Sequence, residues 1–311
     1  LLDRPNNRYR RLSAREVAAI QGFGTSWLDE LDLPTRQAIE LIGNAVPPPL
    51  AKAILEGVDD VYDWENPTFL EICSGIGGLT EGARYIGLEC LALVEHWSVA
   101  CDALREREPH LRDKVHCDDV LEFDLAQHRE GVGLLTGGPP CQPWSHGGHK
   151  KGELDDRDLM GRTPSMIADC QPEVFLFENV PGLVRGDEHE RYFRKLVERL
   201  REPGGKDGKR YGVAYRILNA ADYGVPQKRK RLLILGLRGK PDATALATFE
   251  RISGAATHTD PNDPKPNREP WVTLGEAFED IPDPGGWRRF LNEESSGSRG
   301  DEDPEEGGTS N

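Results

Sequence analysis

Apolar residues recur at helical spacing over residues 10–57 and give way, from Thr68 on, to short apolar runs alternating with helical stretches. In the first part, "LSAREVAAIQGF" places Ser13 as an N-cap with Glu16 three residues on, the reciprocal pattern that satisfies two free helix-end donors. "PTRQAIELIGN" runs into a Gly-Asn stop, and "VPPPLAKAILEG" opens on prolines and closes at Gly57, the asymmetry of a short helix. A polar connector, "VDDVYDWENP", follows. Beyond it, residues 68–73, 90–95, 132–136, 174–178, 215–219 and 231–236 read as strands, and 79–86, 98–107, 165–170 and 188–200 as helices. This alternation predicts an α/β fold, a mostly parallel sheet with helices on both faces. "HTDPNDPKPNREP" reads as a loop, "VTLGEAFEDIP" as a short helix, and the acidic stretch from Leu291 on as disordered.

The chemistry concentrates where such a sheet binds ligands, at the carboxyl ends of its strands. "FLEICSGIGGLTEGA" is strand, glycine-rich turn, helix, with Glu95 at the end of the next strand. Glycines let a ligand approach the backbone, the helix start offers free N–H groups, and the acid suits a ribose hydroxyl pair. That pattern fits a nicotinamide dinucleotide and S-adenosylmethionine equally, and Glu95 alone reads as well as a helix-capping carboxylate. "LLTGGPPCQPWSHGG" holds Cys141 in a loop stiffened by prolines, presented to something or buried as a structural thiol. "FLFENVPGL" carries Glu178 out of an apolar strand, where burial favours its protonated form. "QKRKRLL" brings arginines to the start of a strand, as a solvated basic turn or as donors to phosphate or carboxylate.

Charge and cysteine usage narrow the picture. The 311-residue chain has a net charge of −15, from 54 acidic and 39 basic residues. That balance argues against a nucleic-acid partner unless the basic residues cluster, as they do in "VPQKRKRLL". Arginine exceeds lysine, which suits a salt-adapted source and a GC-rich genome alike. The six cysteines form no C-x-x-C pair, so no zinc ribbon is expected. His146 and His149 beside Cys141 read as loop histidines rather than metal ligands. With no apolar run near the ~20 residues of a membrane span and no signal-like start, a cytoplasmic protein is expected.

Taken together, the motifs resemble the DNA (cytosine-5) methyltransferases. "FLEICSGIGG" is similar to that family's cofactor loop, "GGPPCQPWS" to its nucleophile loop, "ENV" to its glutamate motif and "QKRKR" to its Gln-x-Arg-x-Arg motif. "RRLSAREVAAIQGF" and "IGNAVPPPLAKAI" resemble its last two motifs, and "LNAADYGVPQ" and "VTLGEAFEDIP" its connecting pieces. Cys73 departs from the aromatic residue often found there, and "DDRDLM" departs from the corresponding family segment. The resemblance implies a Rossmann-like methyltransferase fold using S-adenosylmethionine and releasing S-adenosylhomocysteine. It implies Cys141 as nucleophile at cytosine C6, Glu178 as proton donor at N3, and Arg229 and Arg231 as residues orienting the base. The cofactor would meet Cys73, Ser74, Gly75, Ile76, Gly77, Gly78, Glu95, His96, Asp119, Val120, Pro139, Asn44, Ala45 and Val46. The base and DNA would meet Pro140, Gln142, Ser145, Asn179 and Gln227.

The last two family motifs stand first here, which implies a circular permutation. Residues 1–57 then pack on a catalytic domain at 68–240 through a connector at 58–67. Residues 241–290 begin a target-recognition region that is reduced or missing, and 291–311 form the acidic tail. The implied partners are duplex DNA, a partner chain supplying the recognition lobe and, in a restriction–modification or phage-defence setting, a cognate endonuclease. The alternatives are a transfer-RNA cytosine methyltransferase, a non-catalytic partner subunit and a dinucleotide-dependent oxidoreductase.

Overall fold

A computed structural model describes residues 2–3, 8–28, 31, 33–141, 158–205 and 208–282. A short antiparallel strand pair, Leu2–Asp3 with Arg8–Tyr9, precedes three helices: α1 (Ala14–Gln21), α2 (Thr35–Asn44) and α3 (Pro48–Asp59). Ser13 and Glu16 form the expected capping box, and Gly22 ends α1 at φ 83°. Helix α3 does not stop at Gly57. A Cβ there would fall 2.4 Å from Ile252, so this glycine marks close helix packing rather than a terminus.

The sheet strands are β1 (Thr68–Ile72), β2 (Glu89–Val94), β3 (Val115–His116), β4 (Leu134–Gly137), β5 (Val174–Asn179), β6 (Tyr211–Asn219) and β7 (Lys230–Arg238). The intervening and following helices are α4 (Gly78–Tyr85), α5 (Ser98–Arg107), α6 (Leu159–Cys170), α7 (Asp187–Arg201), α8 (Asp242–Gly254) and α9 (Leu274–Ala277). The strand order is β3-β2-β1-β4-β5-β7-β6. The first five strands in that order run parallel, while β7 is antiparallel to β5 and to β6. The reversal brings the start of β7 to the edge where the parallel strands end.

Successive strand residues face opposite sides, and the core divides accordingly. Phe69, Leu93, Leu134 and Leu176 join α3, α4, α5 and α8 on one face. Leu70, Val94, Leu135 and Phe177 join α6 and α7 on the other. Burying Phe249 and Ile252 of α8 contributes about 1.5–3 kcal/mol each. Residues 242–254, placed at the start of a recognition region by the sequence reading, therefore pack as part of the main core. Helix α1 is covered in turn by α9, through Ala19, Phe278 and Ile281.

Helix α6 starts six residues before the sequence reading put it, because Pro164 lies inside the helix. Proline removes the N–H that would bond the carbonyl of residue 160. Thr163 Oγ1 donates to that Met160 carbonyl at 2.8 Å and offsets the loss. The two-residue β3 and the whole of α8 had no counterpart in the sequence reading.

Candidate active site

At the end of β1 the chain turns sharply, with Cys73, Gly75 and Gly77 at φ 49°, 52° and 79°. For Cys73 this left-handed geometry is strained, and such strain collects at functional turns. Glu95, buried at the end of β2, accepts from the Gly75 and Trp97 amides at 2.8 Å each. The exposed His96 brings Nδ1 to 3.3 Å from the same carboxylate. The amide of Asp118 donates to the Glu95 carbonyl at 3.1 Å, so the following loop lies beside the acid. In that loop Asp119 is exposed and Val120 buried. Ser74 Oγ is buried with no partner among the described residues, while space around Gly75 is open. An unpaired buried hydroxyl, an open glycine and a fixed carboxylate fit the polar groups of an adenosyl ligand.

The N-terminal segment forms one wall of this place. A Cβ on Gly78 would lie 2.1 Å from the Val46 carbonyl oxygen, and one on Gly82 would lie 2.8 Å from Ala51. Helix α4 therefore admits the 44–51 stretch only because two glycines face it. Asn44 is exposed, whereas Ala45 and Val46 are buried. The Ile76 side chain turns away into a cluster with Ala18, Phe23, Trp27 and Ile42, leaving only its backbone to a ligand.

Cys141 follows β4 and is 7% exposed. Its thiol donates to Asn179 Oδ1 at 2.8 Å, and Asn179 Nδ2 donates to the Pro139 carbonyl at 2.9 Å. Pro140, exposed, accepts from the Met160 amide at 3.3 Å. Burial and then the Asp158 carboxylate push the thiol up to about 11. Asp158 pairs with Cys141 in a β-bridge, and its carboxylate accepts from Tyr192 Oη at 2.5 Å. The sequence reading missed this buried acid. Its position just ahead of the apolar residues of α6 is the N-cap signal that could have found it.

Glu178 sits on β5 one residue before Asn179, and a Cβ on Gly138 would lie 3.3 Å from its Oε2. The cysteine loop and the glutamate thus meet directly. Arg231 Nε lies 2.6 Å from Glu178 Oε1. Burial raises the Glu178 pKa, while Arg231 and Arg229 oppose that rise.

The structure divides the arginine motif. Arg231 faces Glu178, whereas Arg229 Nη2 donates to the Gly43 and Ala45 carbonyls at 2.8 and 3.3 Å, capping the end of α2. Burial lowers Arg229 to about 10, which leaves it charged at neutral pH. Gln227 is turned onto α1, donating to the Ile20 carbonyl at 3.0 Å and to Gln21 Oε1 at 2.6 Å. Both residues, read as base or DNA contacts, hold the N-terminal segment in place here. Gln142, Ser145, His146 and His149 lie outside the described residues. Among the described residues no cluster of His, Cys, Asp and Glu could hold a metal ion, and no helix is long and apolar enough to cross a membrane.

A family model described as C-5 cytosine-specific DNA methylase matches residues 3–59 and 67–293, with its break in the connector. Type II methyltransferase M.AplI of Arthrospira platensis is 33% identical over 182 residues, covering 57% of this chain and 48% of that protein. Type II methyltransferase M.NgoMIV of Neisseria gonorrhoeae is 31% identical over 225 residues, covering 71% of this chain and 62% of that protein. The chain thus spans about half the length of the curated relatives it matches. Among solved structures, a DNA modification methyltransferase encoded within an E. coli prophage aligns with a TM-score of 0.49 at 23% identity, over 70% of this chain and 55% of that one. The family match takes in both the N-terminal helices and the whole sheet, and on that ground this α/β chain belongs to the C-5 cytosine-specific DNA methylases.

Proposed function

We propose that this chain transfers a methyl group from S-adenosylmethionine to C5 of cytosine in DNA, leaving S-adenosylhomocysteine. The observation that carries the reading is the meeting of Cys141, through Asn179 and Gly138, with Glu178 at one strand edge. Cytosine C5 is a weak nucleophile. Addition of the Cys141 thiolate to C6 makes the ring an enamine, and Glu178 donates its proton to N3 to take up the displaced electron density. Once C5 carries the methyl group, loss of the C5 proton to solvent, expulsion of the Cys141 thiolate and return of the N3 proton to Glu178 restore the ring. Arg231 holds Glu178 in place from the neighbouring strand. The thiol is neutral at rest, so its deprotonation is coupled to entry of the base. A stacked base cannot be attacked from above its ring, so the cytosine is rotated out of the duplex, at a cost of a few kcal/mol.

When bound, S-adenosylmethionine supplies the electrophilic methyl group. Ser74 and the turn at Gly75–Gly78 take its polar backbone-facing groups, Glu95 its ribose, Asp119 and Val120 its adenine, and the 44–46 stretch its methionine side. His96 and Pro139 border the same place.

The N-terminal helices are read as a circular permutation. Their docking on α4 through Gly78 and Gly82 supports this, as does the split of the family match around the connector. The chain works on duplex DNA in the cytoplasm of a prokaryotic cell or its virus, in a restriction–modification or phage-defence setting beside a cognate endonuclease.

The test is transfer of tritium from labelled S-adenosylmethionine to duplex DNA and to transfer RNA side by side. Label in DNA is the expected result, and label in RNA alone would move the assignment to a transfer-RNA cytosine methyltransferase. Binding of S-adenosylhomocysteine without transfer to either would indicate a non-catalytic subunit. Preference for a nicotinamide dinucleotide would indicate an oxidoreductase.

A further inference from the structure

Gln21 ends α1 and is 2% exposed. A buried primary amide has two donors and an acceptor to satisfy. Its Nε2 donates to the Ala45 carbonyl, and its Oε1 accepts from Gln227 Nε2 at 2.6 Å. Two residues beyond Gln227, Arg229 returns to the same Ala45 carbonyl at 3.3 Å. The hydrogen bonds therefore close a ring: Gln21 to Gln227, along the chain to Arg229, across to Ala45, and back to Gln21. Gln21 is the buried member of this ring and Gln227 and Arg229 are half-buried, so at Gln21 a lost partner is not replaced by water, and a shift of the Ala45 carbonyl is passed through it to Gln227. On one side of the ring Val46 presses on Gly78 of the glycine turn. On the other, Arg231 holds Glu178.

We propose that Gln21 is a positioning residue that couples the cofactor wall at 43–46 to the 227–231 run, whose Arg231 holds Glu178 at the base site, so that filling the cofactor site orders the base site. This rests on the reading that 44–46 borders the cofactor and Arg231 borders the base. Gln21 itself touches neither ligand.

Hydrogen–deuterium exchange of the full chain, with and without saturating S-adenosylhomocysteine, tests the coupling without needing a DNA target sequence. In the wild type the ligand should slow exchange in peptides spanning 73–78, 43–46 and 225–231, the last by about fivefold, the effect of one buried hydrogen bond. In Gln21→Met the slowing at 73–78 should persist and that at 225–231 should vanish, with affinity for S-adenosylhomocysteine reduced by about fivefold. Gln21→Glu keeps the acceptor for Gln227 but sets a carboxylate against the Ala45 carbonyl, and it should lose the slowing at 225–231 as well. It serves as the test if the methionine variant fails to fold by circular dichroism. Slowing at 225–231 that survives in either folded variant overturns the proposal. So does a wild type that binds the ligand and slows only at 73–78. A wild type that does not bind S-adenosylhomocysteine at all overturns the cofactor reading first, and this inference with it.

Discussion

Across the β5–β7 pair, Arg231 Nε stands 2.6 Å from Glu178 Oε1, with both side chains mostly buried. The pair sets two opposing influences on one carboxyl group: burial raises its pKa, and the arginines lower it. Arg231→Leu removes the nearer cation, so the Glu178 pKa should rise further and its proton should be retained to higher pH. The basic limb of the kcat/KM profile should then move to higher pH even as the rate falls. Glu178→Gln should lower kcat by about 10²–10⁴, with little change in affinity for S-adenosylhomocysteine. A pH profile unmoved by Arg231→Leu would show that Glu178 is not the titrating acid.

Cys141 is held neutral at rest, with its thiol pushed up to about 11 by burial and by Asp158. Alkylation by iodoacetamide, followed peptide by peptide, should therefore rise about tenfold per pH unit from pH 7 to 9, because only the thiolate reacts. A plateau for the Cys141 peptide near pH 8 would mean that the thiol is already activated without substrate.

Glu71, fully buried on β1, accepts from Thr80 Oγ1 at 2.5 Å, and burial raises its pKa to about 8. The unfolded chain loses this proton near pH ~4.3, so between that value and about 8 the folded protein binds one more proton than the unfolded. The stabilising effect is whole below the unfolded value and drains away as pH rises through the folded one. Glu71→Gln removes the titration. Its melting temperature should match the wild type near pH 5 and exceed it by several degrees near pH 8.5. Parallel melting curves across that range would contradict the assignment.

Gly78→Ala drives a methyl group to within 2.1 Å of the Val46 carbonyl, with backbone on both sides. Overpacking of this kind costs about 1–3 kcal/mol, and here the strain falls between the N-terminal segment and the glycine turn. Calorimetric titration should show affinity for S-adenosylhomocysteine at least tenfold weaker. Unchanged affinity would mean that the 44–46 stretch does not border the ligand.

Local chemistry made much of this readable. The Ser13–Glu16 capping box, the strand cores and the turn around Gly75 rest on short-range rules, and the structure has them where those rules put them. The sequence reading went astray where tertiary contact outweighs a local signal. Gly57 looks like a helix stop until Ile252 fills the space beside it. Pro164 looks like a helix start until Thr163 takes the freed carbonyl. Asp242–Gly254 is helical mainly because Phe249 and Ile252 bury against the sheet. In the site, motif order brought out Cys141 and Glu178. The direction of each side chain was not legible, so Gln227 and Arg229, which face the N-terminal segment, read the same as Arg231, which faces the glutamate.

The most direct test of the account is covalent trapping on duplex DNA in which cytosine is replaced by 5-fluorocytosine. Addition of a thiolate at C6 followed by methyl transfer cannot then be undone, because the fluorine at C5 blocks elimination. With S-adenosylmethionine, and with any partner chain needed for DNA loading, the wild type should form a denaturation-resistant adduct mapped by mass spectrometry to Cys141. Cys141→Ser should form none while still binding S-adenosylhomocysteine. An adduct that persists in Cys141→Ser, or one that maps to another cysteine, would contradict the central claim.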